Sequence, residues 1–109
     1  MLIWDLFEAL KKNIPYLTQA VKAYRDNFRK LYDTGVRTAT GTDTDCACFD
    51  GASPVALECD YMVKCGLSPL EAIECATKNG ADYLGLQDSV GQIKNNYIAD
   101  LIVVRGNPA

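Results

Sequence analysis

The sequence predicts a helix-rich α/β chain, and three observations carry that prediction. A short β-leaning run, Val36 to Thr40, passes through Gly41-Thr42 into Asp43. Two later segments open with helix-initiating devices, Ser53-Pro54 and Ser68-Pro69-Leu70-Glu71. The closing stretch places Val90-Gly91-Gln92-Ile93 and Ala99-Asp100-Leu101-Ile102-Val103-Val104 on either side of Lys94-Asn95-Asn96-Tyr97, which reads as a short β-hairpin.

Each element has a local reason. Leu2, Leu6, Phe7 and Leu10 recur at helical spacing until Pro15 interrupts them. From Tyr16 to Tyr32 a longer amphipathic helix is expected, with Leu17, Val21, Tyr24, Phe28 and Leu31 on one stripe. Gly35 suits the left-handed position after its end. The strand Val36–Thr40 follows, then a loop over 44–52 rich in Asp, Cys and Gly. Ser53 is the N-cap and Pro54 the first residue of a helix carrying Leu57, Tyr61, Met62 and Cys65, which stops at Gly66. Ser68 and Glu71 form a capping box for a further helix. That helix should run to about Lys78, with Asn79-Gly80 as its terminator and a turn from Ala81 to Leu84 before Gly85.

Composition excludes several classes. The 109 residues are one domain's worth of chain, 49% hydrophobic and 23% charged, which suits a globular protein rather than a disordered one. A net charge of −3 with scattered Lys and Arg leaves no footprint for a nucleic-acid partner. No apolar run approaches the ~18 residues of a membrane span. The N-terminus lacks the basic region of a signal peptide, so a cytoplasmic location is expected.

The five cysteines are odd in number and make no Cys-x-x-Cys pair, which suggests neither a disulfide framework nor a zinc ribbon. Cys59, Cys65 and Cys75 fall in helical patterns and read as small hydrophobes. Cys46 and Cys48, beside Asp43 and Asp45, could gather a soft metal, but structural zinc takes four ligands in a closed cage. Free thiols in a reducing compartment are the preferred reading.

Asp43 is the candidate site residue. A carboxylate at the carboxyl end of a buried parallel strand is where barrel enzymes place a metal ligand or general base. The alternative is an aspartate that caps the following loop through its own backbone. Asp45 and Asp50 read as solvated loop acids, and Asp100 as bonding to nearby amides. Trp4 and Phe7 read as packing residues, Lys94 as a surface charge, and Thr77 and Asn79 as helix-end hydrogen-bonding residues. The chain contains no histidine.

The order of these motifs resembles a known family. Gly35-Val36 through Gly41-Thr42-Asp43, Lys64-Cys65-Gly66-Leu67-Ser68-Pro69-Leu70-Glu71-Ala72-Ile73, Ala76-Thr77-Lys78-Asn79, Leu84-Gly85-Leu86, Val90-Gly91-Gln92-Ile93 and Ala99-Asp100-Leu101-Ile102-Val103-Val104-Arg105-Gly106-Asn107-Pro108 look like the C-terminal quarter of the amidohydrolase superfamily. The nearest look is to its imidazolonepropionase and prolidase-like branch.

The resemblance implies the last strand of a TIM barrel with its flanking helices over residues 1–87. It assigns residues 88–109 to a hairpin of an adjoining β-sandwich. It implies a divalent metal, zinc above all, and hydrolysis of C–N bonds in small amides, cyclic amides or dipeptides. Asp43 matches the family's metal-ligating and catalytic aspartate, and residues 44–53 would line the substrate pocket. The family's other ligands, mainly histidines on earlier strands, have no counterpart here, and Asp50 stands where relatives often carry a histidine. The expectation is a piece of a metal-dependent hydrolase, inactive as an isolated chain. A lone strand cannot satisfy its own edges and the helices present apolar faces, so a homo-oligomer is also expected.

Overall fold

Four helices in chain order form the framework: α1 (Pro15–Asp33), α2 (Pro54–Lys64), α3 (Pro69–Ala76) and α4 (Lys78–Tyr83). The computed structural model describes residues 15–42 and 53–107. The Leu2–Leu10 segment with Trp4 and Phe7, the loop at 43–52, and Pro108-Ala109 lie outside the described residues.

The dense part of the core is the seam between α2 and α3. Met62, Leu67, Ala72 and Cys75 form one buried cluster, with Phe28, Tyr32, Cys59 and Val63 packed around it. Ala72 and Cys75 are fully enclosed. Both are small, which lets the two helices approach closely, and Cys59 donates its thiol to the Ala72 carbonyl across the seam at 3.5 Å.

The connection between these helices is built from local signals. Ser53 caps α2 by accepting from the Ala56 amide, and Pro54 occupies the first turn. At the other end Gly66 takes a φ of +103°. The Gly66 amide donates to Val63 (2.8 Å) and the Leu67 amide to Met62 (3.1 Å), a Schellman ending that satisfies the last carbonyls. Two residues later the capping box closes α3: the Glu71 amide donates to Ser68 Oγ (3.3 Å), and the Ser68 amide donates to the Glu71 carboxylate (2.6 Å).

The end of α3 differs from the sequence expectation. The helix stops at Ala76, and Asn79-Gly80 lies inside a second helix, α4, rather than terminating the first. Thr77 explains the break. Its hydroxyl donates back to the Ile73 carbonyl at 2.8 Å, a bond that bends helices. The expected turn at Ala81–Leu84 is largely the last part of α4, which ends in a second Schellman arrangement: Gly85 donates to Asp82 and Leu86 to Ala81.

Helix α1 reaches the core through Val21, Phe28 and Tyr32. Tyr24 and Leu31, expected on the same stripe, are more than half exposed. Arg29 ties the helix down: its guanidinium donates to the Gly66 carbonyl and also pairs with Asp33 at 2.7 Å. Helix-surface pairs such as Lys22–Asp26 are exposed and contribute little.

No strand occurs among the described residues. The expected strand Val36–Thr40 has no ladder partner there, and a strand is defined by its ladder. The expected hairpin has its turn but not its pairing. Asn96 adopts a φ of +67° within Lys94–Tyr97, yet the backbone bond that spans the turn, from the Ile98 amide to the Ser89 carbonyl, lies outside both expected arms. Beyond it Leu101 to Val104 are exposed, Val103 almost completely. No described helix is long and apolar enough to cross a membrane.

Gly91 anchors this closing segment to α4. A Cβ there would lie 2.8 Å from the Ala81 methyl and 2.9 Å from the Thr77 carbonyl, and φ is +85°. Gly85 also has positive φ, but a Cβ there would meet nothing within 4 Å. Gly91→Ala should therefore cost about 1–3 kcal/mol more than Gly85→Ala in urea denaturation; equal costs would show that the contact does not bear on stability.

The capping box makes a second prediction. Hydrogen bonding to Ser68, from its backbone first and its side chain second, holds Glu71 below its ordinary value of 4.5. A carboxylate depressed on folding adds stability that is fully present above the unfolded value and is lost as the pH falls through the lower folded one. The urea midpoint should drop on acidification below 4.5, and less so in Glu71→Gln. Identical acid profiles for the two proteins would refute the linkage.

Candidate functional site

The run from Val36 to Thr42 leads directly to Asp43, so its anchoring sets where that residue enters. With no ladder available, helices hold it instead. Asn79 Nδ2 in α4 donates to the Thr38 carbonyl at 2.9 Å. The Thr40 amide donates to the Cys75 carbonyl, exposed by the break after α3, at 3.4 Å. The Gly41 amide lies between both oxygens of the Glu58 carboxylate in α2, at 3.0 and 3.2 Å. Arg37, flanking this run, pairs with Asp82 in α4.

These contacts border an open groove of about 860 Å³. Residues 36–41 line it together with Phe28 and Leu31 of α1 and Asn79, Asp82 and Tyr83 of α4. The groove is part apolar and part amide, a surface suited to covering by another segment of chain.

The thiols in the described residues are quiet. Burial pushes the Cys59, Cys65 and Cys75 thiols up from the ordinary value of 9.0. They are protonated at neutral pH, which makes them poor nucleophiles and poor metal ligands. Among the described residues no group of three or more His, Cys, Asp or Glu could hold a metal ion. The chain contains no histidine, and the described residues do not bring together the three or so protein ligands that a catalytic zinc takes.

The residues singled out from the sequence are only partly brought together. Asp43, Asp45, Asp50, Cys46 and Cys48 lie outside the described residues. Asp100 is exposed in the closing segment, remote in sequence from the groove. Lys94 lies over the Tyr97 ring, 5.1 Å from its centroid. Thr77 bonds within its helix, as a helix-end residue does, whereas Asn79 reaches across to Thr38. Glu58 carried no signal in the sequence: it is one of several acids on a helix, and only the chain's path brings Gly41 to it.

Comparison with known proteins adds the remaining evidence. The model of the amidohydrolase family matches residues 9–109. An ochratoxinase of Aspergillus niger is 37% identical over an alignment of 94 positions that covers 81% of this chain and 18% of that protein. Imidazolonepropionases of Porphyromonas gingivalis and Geobacillus kaustophilus are 36% and 35% identical, over 71% and 69% of this chain and again 18% of their own length. No solved structure gives a significant match. The chain thus spans about a fifth of the curated relatives it resembles. That family match takes in all four helices, the anchored run before Asp43 and the closing segment, and the chain belongs to the amidohydrolase family.

Proposed function

We propose that this chain is a C-terminal portion of a hydrolase that cleaves C–N bonds in small amides, cyclic amides or dipeptides, and that it is catalytically silent on its own. The observation that carries the reading is the family match across residues 9–109, set against a chain without histidine. Residues 1–87 would belong to a TIM barrel and residues 88–109 to an adjoining β-sandwich. Asp43 would be the carboxylate that this portion contributes. It would take the proton of the attacking water and return it to the departing nitrogen, and it is the proposed ligand to a divalent metal. The rest of such a metal site is not encoded here, so no part of the chemistry is assigned to the metal through this chain's own residues.

Two measurements test this. The purified chain should retain almost no zinc after gel filtration and should not hydrolyse N-acyl amino acids or dipeptides; stoichiometric zinc or turnover would overturn its silence. A chimaera in which residues 9–109 replace the matching stretch of an imidazolonepropionase should be active, and Asp43→Asn should lower its kcat by about 10²–10⁴-fold. Full activity of the Asp43→Asn chimaera would remove Asp43 from the chemistry.

A second reading is compatible with the first: the chain persists as a non-catalytic, self-associating oligomer. It is supported by the exposed aliphatic run Leu101–Val104 and by the exposed Tyr24 and Leu31 on α1. Light scattering at micromolar concentration should then report a dimer or larger, and a clean monomer would exclude it.

A further inference from the structure

We propose that residues 99–105 pair as an antiparallel strand with the same segment of a second copy, in the register that sets Asp100 of each copy opposite Arg105 of the other. The proposal names the surface behind the self-association reading given above and rests on that reading. Residues 98–104 lie in neither helix nor turn. Ile102 and Val103 are 91% and 98% exposed, and Leu101 and Val104 are more than half exposed. Among the described residues none hydrogen-bonds the backbone of 99–105, so its amides and carbonyls are open along both edges. Such a run is a template for strand addition. Its composition suits self-pairing: Asp100-Leu101-Ile102-Val103-Val104-Arg105 has four aliphatic residues, no Pro or Gly, and end charges that cancel.

The order of these residues selects the partner and the register. When two copies run antiparallel about the Ile102–Val103 peptide, Asp100 faces Arg105, Leu101 faces Val104 and Ile102 faces Val103. The same three pairs recur on the far side of the centre, so both ends carry an opposite-charge pair. A shift of one residue loses both charge pairs, because Asp100 then meets Val104 or Gly106. Parallel pairing in register sets Asp100 against Asp100 and Arg105 against Arg105, which is destabilising. The complement of the run is the run itself, reversed.

Asp100 and Arg105 fall on opposite faces of a strand, so the two copies meet with opposite faces up and without an exact two-fold axis. Apolar contact survives this, because Leu101 and Val103 make one face aliphatic and Ile102 and Val104 the other. In a three-stranded stack the outer copies would share one orientation and stand two strand spacings apart, about 9.6 Å. That is less than the diameter of one helix, about 10–12 Å. The Ile98–Ser89 bond holds the run close to the folded body, so the bodies collide and assembly stops at two copies.

Sedimentation equilibrium of the full chain over a concentration series tests this, with circular dichroism to show that each variant keeps its helices. Val103→Lys should leave a monomer. Asp100→Arg and Arg105→Asp each set like charges opposite one another at both ends, and each should weaken association about tenfold or more. Mixed one to one, these two variants restore opposite charges at both ends and should associate like the wild type. The double variant D100R/R105D keeps both the net charge and the complement, and should also match the wild type. If Val103→Lys does not fold, the two charge variants and their mixture decide the matter.

A wild-type chain that stays monomeric at micromolar concentration overturns the proposal together with the self-association reading. A wild-type oligomer that survives Val103→Lys overturns the proposal alone, since another surface then joins the copies. So does a mixture no stronger than its components, which would put the run in another register or against another segment.

Discussion

The close approach of α2 and α3 over Ala72 and Cys75 is the contact on which the other placements depend. Neither residue has the bulk to fill a core alone, and their value is what they allow: Met62 and Leu67 are buried in one cluster with them. Burying side chains of that size contributes about 1.5–3 kcal/mol each. Phe28 and Tyr32 bring α1 to the same cluster. The Cys75 carbonyl, left unused by the break at Thr77, becomes the acceptor for Thr40. One residue therefore fills the seam with its side chain and holds the groove with its backbone.

What could be read from the sequence was what is decided within a few residues. Ser53-Pro54, Ser68-Pro69-Leu70-Glu71, Gly35, Gly66 and Gly85 mark helix ends because capping and left-handed turns depend on immediate neighbours. The break at Thr77 escaped because a single threonine is compatible with a continuous helix, and only the direction of its hydroxyl decides otherwise. Asn79-Gly80 looked like a terminator for the same local reasons that mark real ones, but the chain continued into α4. On α1 the 3.6-residue spacing found the buried Val21 and the half-buried Phe28, then admitted Tyr24 and Leu31, since periodicity cannot tell how much of a face is covered.

The candidate site was less legible, because it is assembled across distance. Val36–Thr40 has the residues of a strand, but strand character needs a partner that no local pattern supplies. Glu58 is separated from Gly41 by the loop at 43–52, and Asn79 from Thr38 by two helices. The resemblance to amidohydrolases was readable from motif order and the family match agrees with it. It leaves a tension that is chemical rather than structural: membership of a family that generally binds divalent metals, in a chain without histidine whose described residues gather no metal-binding group.

The bond from Gly41 to Glu58 also bears on how this architecture tolerates change. It joins Gly41, just upstream of residues 43–52, to the helix that follows them, and Ser53 caps that same helix. Gly41 and Ser53, which flank that stretch, are thus both tied to one helix. Lengthening a loop closed in this way costs only about 0.6 kcal/mol per doubling. A change of length between Gly41 and Ser53 can therefore be absorbed without shifting the helix that holds both.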